Sequence, residues 1–187
     1  MGRATDSLHF GDHAGARSRE ARALHAARAV QRLVTRERDA RRLLSGGCEE
    51  LARAIGSSSV WAVLHGEDAW LATGAERRPH EGFELVAYGL APAQEAELRR
   101  VLASSFSAGR GADASLDAAQ IAAHLPAASE LRRRLEAPLS VDDRHYGALC
   151  LLLDPERAPA ELEAELLSEL AALLAFALDA TRSNRLH

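Results

Sequence analysis

One stretch constrains the fold more than any other: Leu135 to Leu178, where a hairpin, a fully apolar strand and an amphipathic helix follow one another. Leu139 to Val141 and Tyr146 to Leu153 read as extended runs, joined by Asp142, Asp143 and Arg144, polar residues suited to a tight antiparallel connection. The second run is apolar at every position after Gly147. A strand apolar on both faces needs a cover on both, which predicts a sheet sandwiched between helical layers. The helix expected from Pro159 onward supplies one cover, with Leu162, Leu166, Leu170, Leu173 and Ala177 along one side and Leu167 and Leu174 widening the stripe. Glu161, Glu163, Glu165 and Glu169 fall early in it, mostly on the outer side, where they suit the positive end of the helix dipole. The stripe is wide enough to serve the sheet and a partner helix, from this chain or from a second copy.

The upstream chain repeats the theme. Val60 to His65, VWAVLH, carries the same doubly covered signature. Gly66, Glu67 and Asp68 form a turn cluster, and Ala69 to Thr73 is expected to return as a short hairpin partner. Phe83 to Gly89 reads as a third strand, and Pro92 opens a helix through Val101 or Ser104 with Leu98, Val101 and Leu102 inward. Ser104 to Ser129 is the least regular segment and is the candidate lid over a pocket.

Toward the N-terminus, Asp39 is the expected N-cap of a helix that aligns Leu44, Cys48, Leu51 and Ile55 and ends at Gly56. Gly46 and Gly47 interrupt it. Each costs about 1 kcal/mol relative to alanine inside a helix, which predicts a kink or a close helix contact there. Ala23, Ala26, Val30, Leu33, Glu37, Ala40 and Leu44 form an alanine-rich heptad seam, suited to a modest coiled coil, with Arg28, Arg32 and Arg36 in a basic line away from it. The expected division is a flexible arm over 1–16, an amphipathic coiled-coil helix over 17–38, a folded domain over 39–182 and a tail over 183–187.

Composition narrows the function classes. With 187 residues, 47% hydrophobic and 27% charged, the chain has the makeup of an ordinary globular domain with an appendage. No apolar run is long enough to cross a bilayer and the first residues lack a signal-peptide core, so a cytoplasmic location without membrane association is expected. Residues 1–42 hold ten arginines against five acids, in a chain of net charge -4 that has no lysine. No base-reading motif accompanies this basic segment, and nucleic-acid binding ranks low. Cys48 and Cys150 fall on apolar faces and read as packed thiols rather than as a disulfide or a zinc pair.

The order of elements resembles a GAF domain over about residues 39 to 182. The closest match is EAPLSVDDRHYGALCLLLD with ELLSELAALLAFALDATR, similar to the family's proline-leucine strand, short acidic turn, Tyr-Gly-x-Leu strand and final leucine- and alanine-rich helix. The segment ALHAARAVQRLVTRERDARRLLSGGCEELARAIGSSSVWAVL is similar to the approach to GAF modules that follow PAS domains in bacterial sensor histidine kinases; the matching residues are Arg38, Asp39, Leu43, Leu44, Cys48 and Trp61.

The resemblance implies an α/β (α+β) fold: an antiparallel sheet with the terminal helices on one face and a helix and loop lid on the other. It also implies a cytoplasmic sensory or regulatory module of signal transduction. Such a module binds a small molecule between sheet and lid, pairs as a homodimer through its terminal helices, and signals to an output domain. The chain would then be a fragment of a larger sensor or a free-standing regulator.

Subtype motifs leave the ligand open. The cyclic-nucleotide motif needs a lysine, bilin attachment uses a cysteine near a Cys-His pair, and methionine sulfoxide reduction relies on three cysteines where this chain has two. Haem would need a pocket histidine; His65, His80, His124 and His145 are the candidates, and a lone histidine is more often a surface residue than an axial ligand. The cofactor therefore stays unassigned, and no constellation specifies catalysis. Trp61, Tyr88, His124, Tyr146 and Cys150 are the candidate pocket residues, each with core packing as the simpler reading, and Tyr146, Ala148 and Cys150 are expected to share one strand face. The alternatives are a small-molecule redox enzyme on the same fold and a ligand-free dimerisation unit.

Overall fold

Two strands that are apolar on both faces lie side by side at the centre of the molecule. The computed structural model describes residues 9–57, 59–65, 71, 82–107, 133–153 and 161–185. Within them run α1 (His9–Arg36), α2 (Ala40–Ile55), β1 (Ser59–His65), β2 (Phe83–Tyr88), α3 (Pro92–Ser107), β3 (Arg133–Val141), β4 (Arg144–Leu153) and α4 (Glu161–Arg185). The four strands form one antiparallel sheet in the order β2-β1-β4-β3. The doubly apolar β1 and β4 thus occupy its middle, as strands covered on both sides must. The fold is α+β, as the residues predict.

Each face of the sheet has its own core. Val60, Ala62 and Leu64 of β1 and Leu149, Leu151 and Leu153 of β4 pack with α1, α2 and α4. Trp61 and Val63, with Ala148, Cys150 and Leu152, lie on the other face with Phe83, Leu85 and the α3 residues Leu98, Val101 and Leu102. Fully burying a leucine or valine contributes roughly 1.5–3 kcal/mol, so this alternation stabilises both layers.

The helical layer is built by close contact. Asp39 caps α2 by accepting from the Arg42 backbone N–H at 2.9 Å, and Gly56 closes it. At the paired glycines the helix approaches two neighbours: a Cβ added to Gly46 would lie 2.9 Å from Leu33 Cδ1 of α1, and one on Gly47 would lie 2.8 Å from Leu174 Cδ1 of α4. Close contact is therefore the reason for the pair.

Glu37, the charged interruption of the heptad seam, marks where α1 stops. Its carboxylate accepts from the backbone N–H groups of Arg38 and Asp39, both at 2.9 Å, so the chain leaves one helix and begins the next. Ala23, Ala26, Ala27 and Val30 are buried within this chain's own helical layer. The seam expected to serve a coiled coil is occupied internally.

Three further expectations are corrected. Leu71, expected in a strand over 69–73, is helical and 1% exposed. Both edges of β1 are already taken by β2 and β4, so no ladder position remains there for a third partner. β3 begins at Arg133, six residues before the expected Leu139, and its turn is just Asp142 and Asp143, with Asp142 at φ 51°, a left-handed conformation that aspartate tolerates.

Tyr146, expected on the face of Ala148 and Cys150, points instead to the opposite one. The register passes from Leu139↔Gly147 to Ser140↔His145, leaving Tyr146 as the extra residue of a β-bulge. Its ring enters the helical core at 0% exposure, and its hydroxyl donates to Asp179 Oδ1 of α4 at 2.6 Å. Gly147 completes the bulge at φ 154°, where a Cβ would stand 1.8 Å from the Val63 carbonyl oxygen.

Gly147→Ala should therefore cost roughly 3–5 kcal/mol through strain and backbone collision, read from the urea midpoint. Tyr146→Phe removes the hydrogen bond to the Asp179 carboxylate and should cost about 1.5–3 kcal/mol by the same measurement.

Candidate functional site

The face of the sheet under α3 carries the best candidate. Strand alternation sets Trp61 and Cys150 opposite one another as Cα partners of β1 and β4, with Val63 and Ala148 paired alongside. Trp61 is 0% exposed and Cys150 2%. The indole Nε1–H of Trp61 is buried and has no acceptor among the described residues. A buried donor left without an acceptor costs about 1–3 kcal/mol, which makes it a site where a bound acceptor would be favourable.

The five sequence candidates part company here. Trp61 and Cys150 come together. Tyr146 is on the other face, and Tyr88, paired with Val60 at the end of β2, is 37% exposed and lies outside both cores. His124 and most of the expected lid lie outside the described residues; Ser104 to Ser107 belong to α3.

The two thiols differ in setting and are separated by the sheet. Cys150 belongs to the α3-side core and Cys48 to the helical core, so they cannot meet as a redox pair. Burial pushes the Cys48 thiol up to about 12, only partly offset by a backbone hydrogen bond from Ala62. Its Sγ stands 4.0 Å from the Val86 carbonyl oxygen. A thiol held protonated in this way is a packing group and a poor nucleophile.

Sequence reading missed an ionic cluster at the sheet edge. Glu84, an acid within the apolar run FELVAY, is 9% exposed and is met by Arg41 of α2, while Arg99 Nη2 of α3 stands 3.9 Å away. The same Arg99 nitrogen donates to the Leu85 carbonyl oxygen at 3.0 Å. Two helices on opposite faces are thereby tied to the edge strand β2, whose carbonyl row is partly covered. The acid in the apolar run was a visible signal; its partners were not.

Elsewhere, a cavity of about 380 Å³ opens between α1 and α2, lined in part by Ser18, Arg22, His25, Glu50 and Arg53. Arg53 is held there by Glu49 and by Glu50 at 2.7 Å, so its charge is already met. No group of three or more His, Cys, Asp or Glu is placed to hold a metal ion among the described residues. No helix among them is long and apolar enough to cross a membrane.

No protein-family model matches the chain. A search of curated proteins finds no relative.

The buried thiol carries a pH consequence. Its folded value lies above the ordinary 9.0, so its contribution is complete below about pH 9 and is lost as pH rises from there toward 12. The loss amounts to about 4 kcal/mol. Urea unfolding of the wild type and of Cys48→Ala, compared between pH 8 and 11, should show a steeper decline in the wild type; equal slopes would contradict this account.

Proposed function

We propose that this chain is a non-catalytic sensory or regulatory domain of the GAF type. On this reading it works in the cytoplasm as an input module of bacterial signal transduction, such as that of a sensor histidine kinase. It holds a small molecule against the α3 face of the sheet, pairs as a homodimer, and passes its state to an output domain. The observation that carries the ligand half is the buried, unpartnered indole N–H of Trp61 beside Cys150. A ligand presenting a hydrogen-bond acceptor and apolar surface fits such a wall, since small-molecule sites are mostly apolar with a few placed polar groups.

The homodimer half rests on the outer sides of the terminal helices. α1 exposes Leu24, Arg28, Arg32 and Arg36 at four-residue steps, and α4 exposes Glu161, Glu165, Glu169 and Phe176. Leu24 is 54% and Phe176 63% exposed, large apolar side chains in water. Laying α1 antiparallel on α4 of a second copy sets Leu24 toward Phe176 and the arginines toward the glutamates, and a two-fold axis repeats the contact.

Native mass spectrometry beside the denatured mass tests the ligand. An added mass in the wild type that Trp61→Phe loses, with its fold intact by circular dichroism, is the expected result; retention of that mass in Trp61→Phe, or a wild type with no added mass and no thermal shift across a metabolite panel, would count against the proposal. Light scattering should give a dimer that Phe176→Glu converts to monomer. A monomeric wild type at high concentration would remove the homodimer from the reading.

A further inference from the structure

The bulge that carries Tyr146 into the helical core also places His145. In an uninterrupted strand His145 would lie on the face of Leu149 and Leu151; the extra residue sets it on the opposite face, that of Trp61, Val63 and His65. His65 ends β1 and His145 is the second residue of β4, so two imidazoles meet at one end of the sheet. Their ring centroids are 5.4 Å apart and their planes are tilted by 40°. His65 is half-buried and His145 is exposed, so the pair is open to water.

We propose that His65 and His145 form a binding site for an imidazole-preferring divalent transition-metal ion, with copper(II) the tightest binder of the series. Two imidazoles at adjacent corners of a tetragonal copper(II) ion, each nitrogen about 2 Å from the metal, have ring centres about 4.5 Å apart, and on a tetrahedral ion about 5 Å. The observed 5.4 Å is within about 1 Å of these values, a gap that rotation of the exposed His145 ring can close. Each imidazole has two nitrogens, and a hydrogen bond at one leaves the other for the metal and orients the ring toward it.

The site is distinct in kind from a structural zinc centre, which takes four protein ligands. Here the described residues supply two nitrogens, with no third His, Cys, Asp or Glu among them completing a group. Such an ion exchanges with solution, so occupancy follows the free concentration. Nitrogen donors select transition metals over magnesium or calcium, and affinity among them peaks at copper(II). The proposal is independent of the ligand reading above, because it involves neither Trp61 nor the lid.

The test is titration of the metal-free full chain with copper(II), and separately with zinc and magnesium, by calorimetry. One equivalent of copper should bind, zinc more weakly, and magnesium not at all. His65→Ala and His145→Ala should each weaken copper binding about tenfold or more, and the double variant should lose little beyond either single one, because both side chains hold one ion. The chain has eight histidines, so this non-additivity separates the site from scattered surface binding. Electron paramagnetic resonance of the copper-loaded wild type should show two imidazole nitrogens. Should an alanine variant misfold, His65→Gln and His145→Asn serve in its place. Wild-type affinity in either single variant, additive losses in the double, or a single coordinated nitrogen would each overturn the proposal.

Discussion

The ladder between β1 and β4 is the constraint on which the rest of the structure depends. Both strands are apolar on both faces, so neither can lie at an edge or against water, and helices must cover both sides. The long α1 and α4 and the glycine-notched α2 fill one side and α3 the other. The edge strands β2 and β3 carry the polar residues. Glu84 shows how an edge is finished: one buried acid engages arginines from the helices on both faces.

Beside that ladder, where β4 pairs with β3, one inserted residue sets the chemistry of the two faces. Moving Tyr146 across the sheet supplies the helical core with a large ring and joins β4 to α4 through Asp179. The same step brings His145 beside His65. Gly147 makes this possible because the Val63 carbonyl occupies the place a side chain would need. The tyrosine in the helical layer and the histidine pair on the other face are therefore two results of one irregularity.

Most of the fold was legible because its signals are local. Asp39 and Gly56 bound α2, the doubly apolar runs VWAVLH and YGALCLLL identify the central strands, and Gly46 with Gly47 announce the close helix contacts. What escaped was non-local. In sequence, Tyr146, Ala148 and Cys150 alternate like any regular strand; the bulge exists only relative to β3. The heptad seam predicted a partner without saying which, and the partners lie in the same chain. Of the candidate site, Trp61 and Cys150 were readable as strand residues in apolar runs, yet their pairing depends on the β1–β4 register, as does the meeting of His65 with His145.

The central ladder also bears on how the chain assembles. β3 and β4 are joined by two residues and can pair at once, whereas Ser59 meets Leu152 and Leu64 meets Gly147 only after a long loop has closed. Contacts of large sequence separation form slowly, since loop entropy has to be overcome before they contribute. The order this topology favours builds the β3–β4 hairpin first and completes the middle of the sheet last. Until β1 arrives, β4 presents an unpaired edge that is apolar on both sides, and at that stage the chain is most open to association with its own copies.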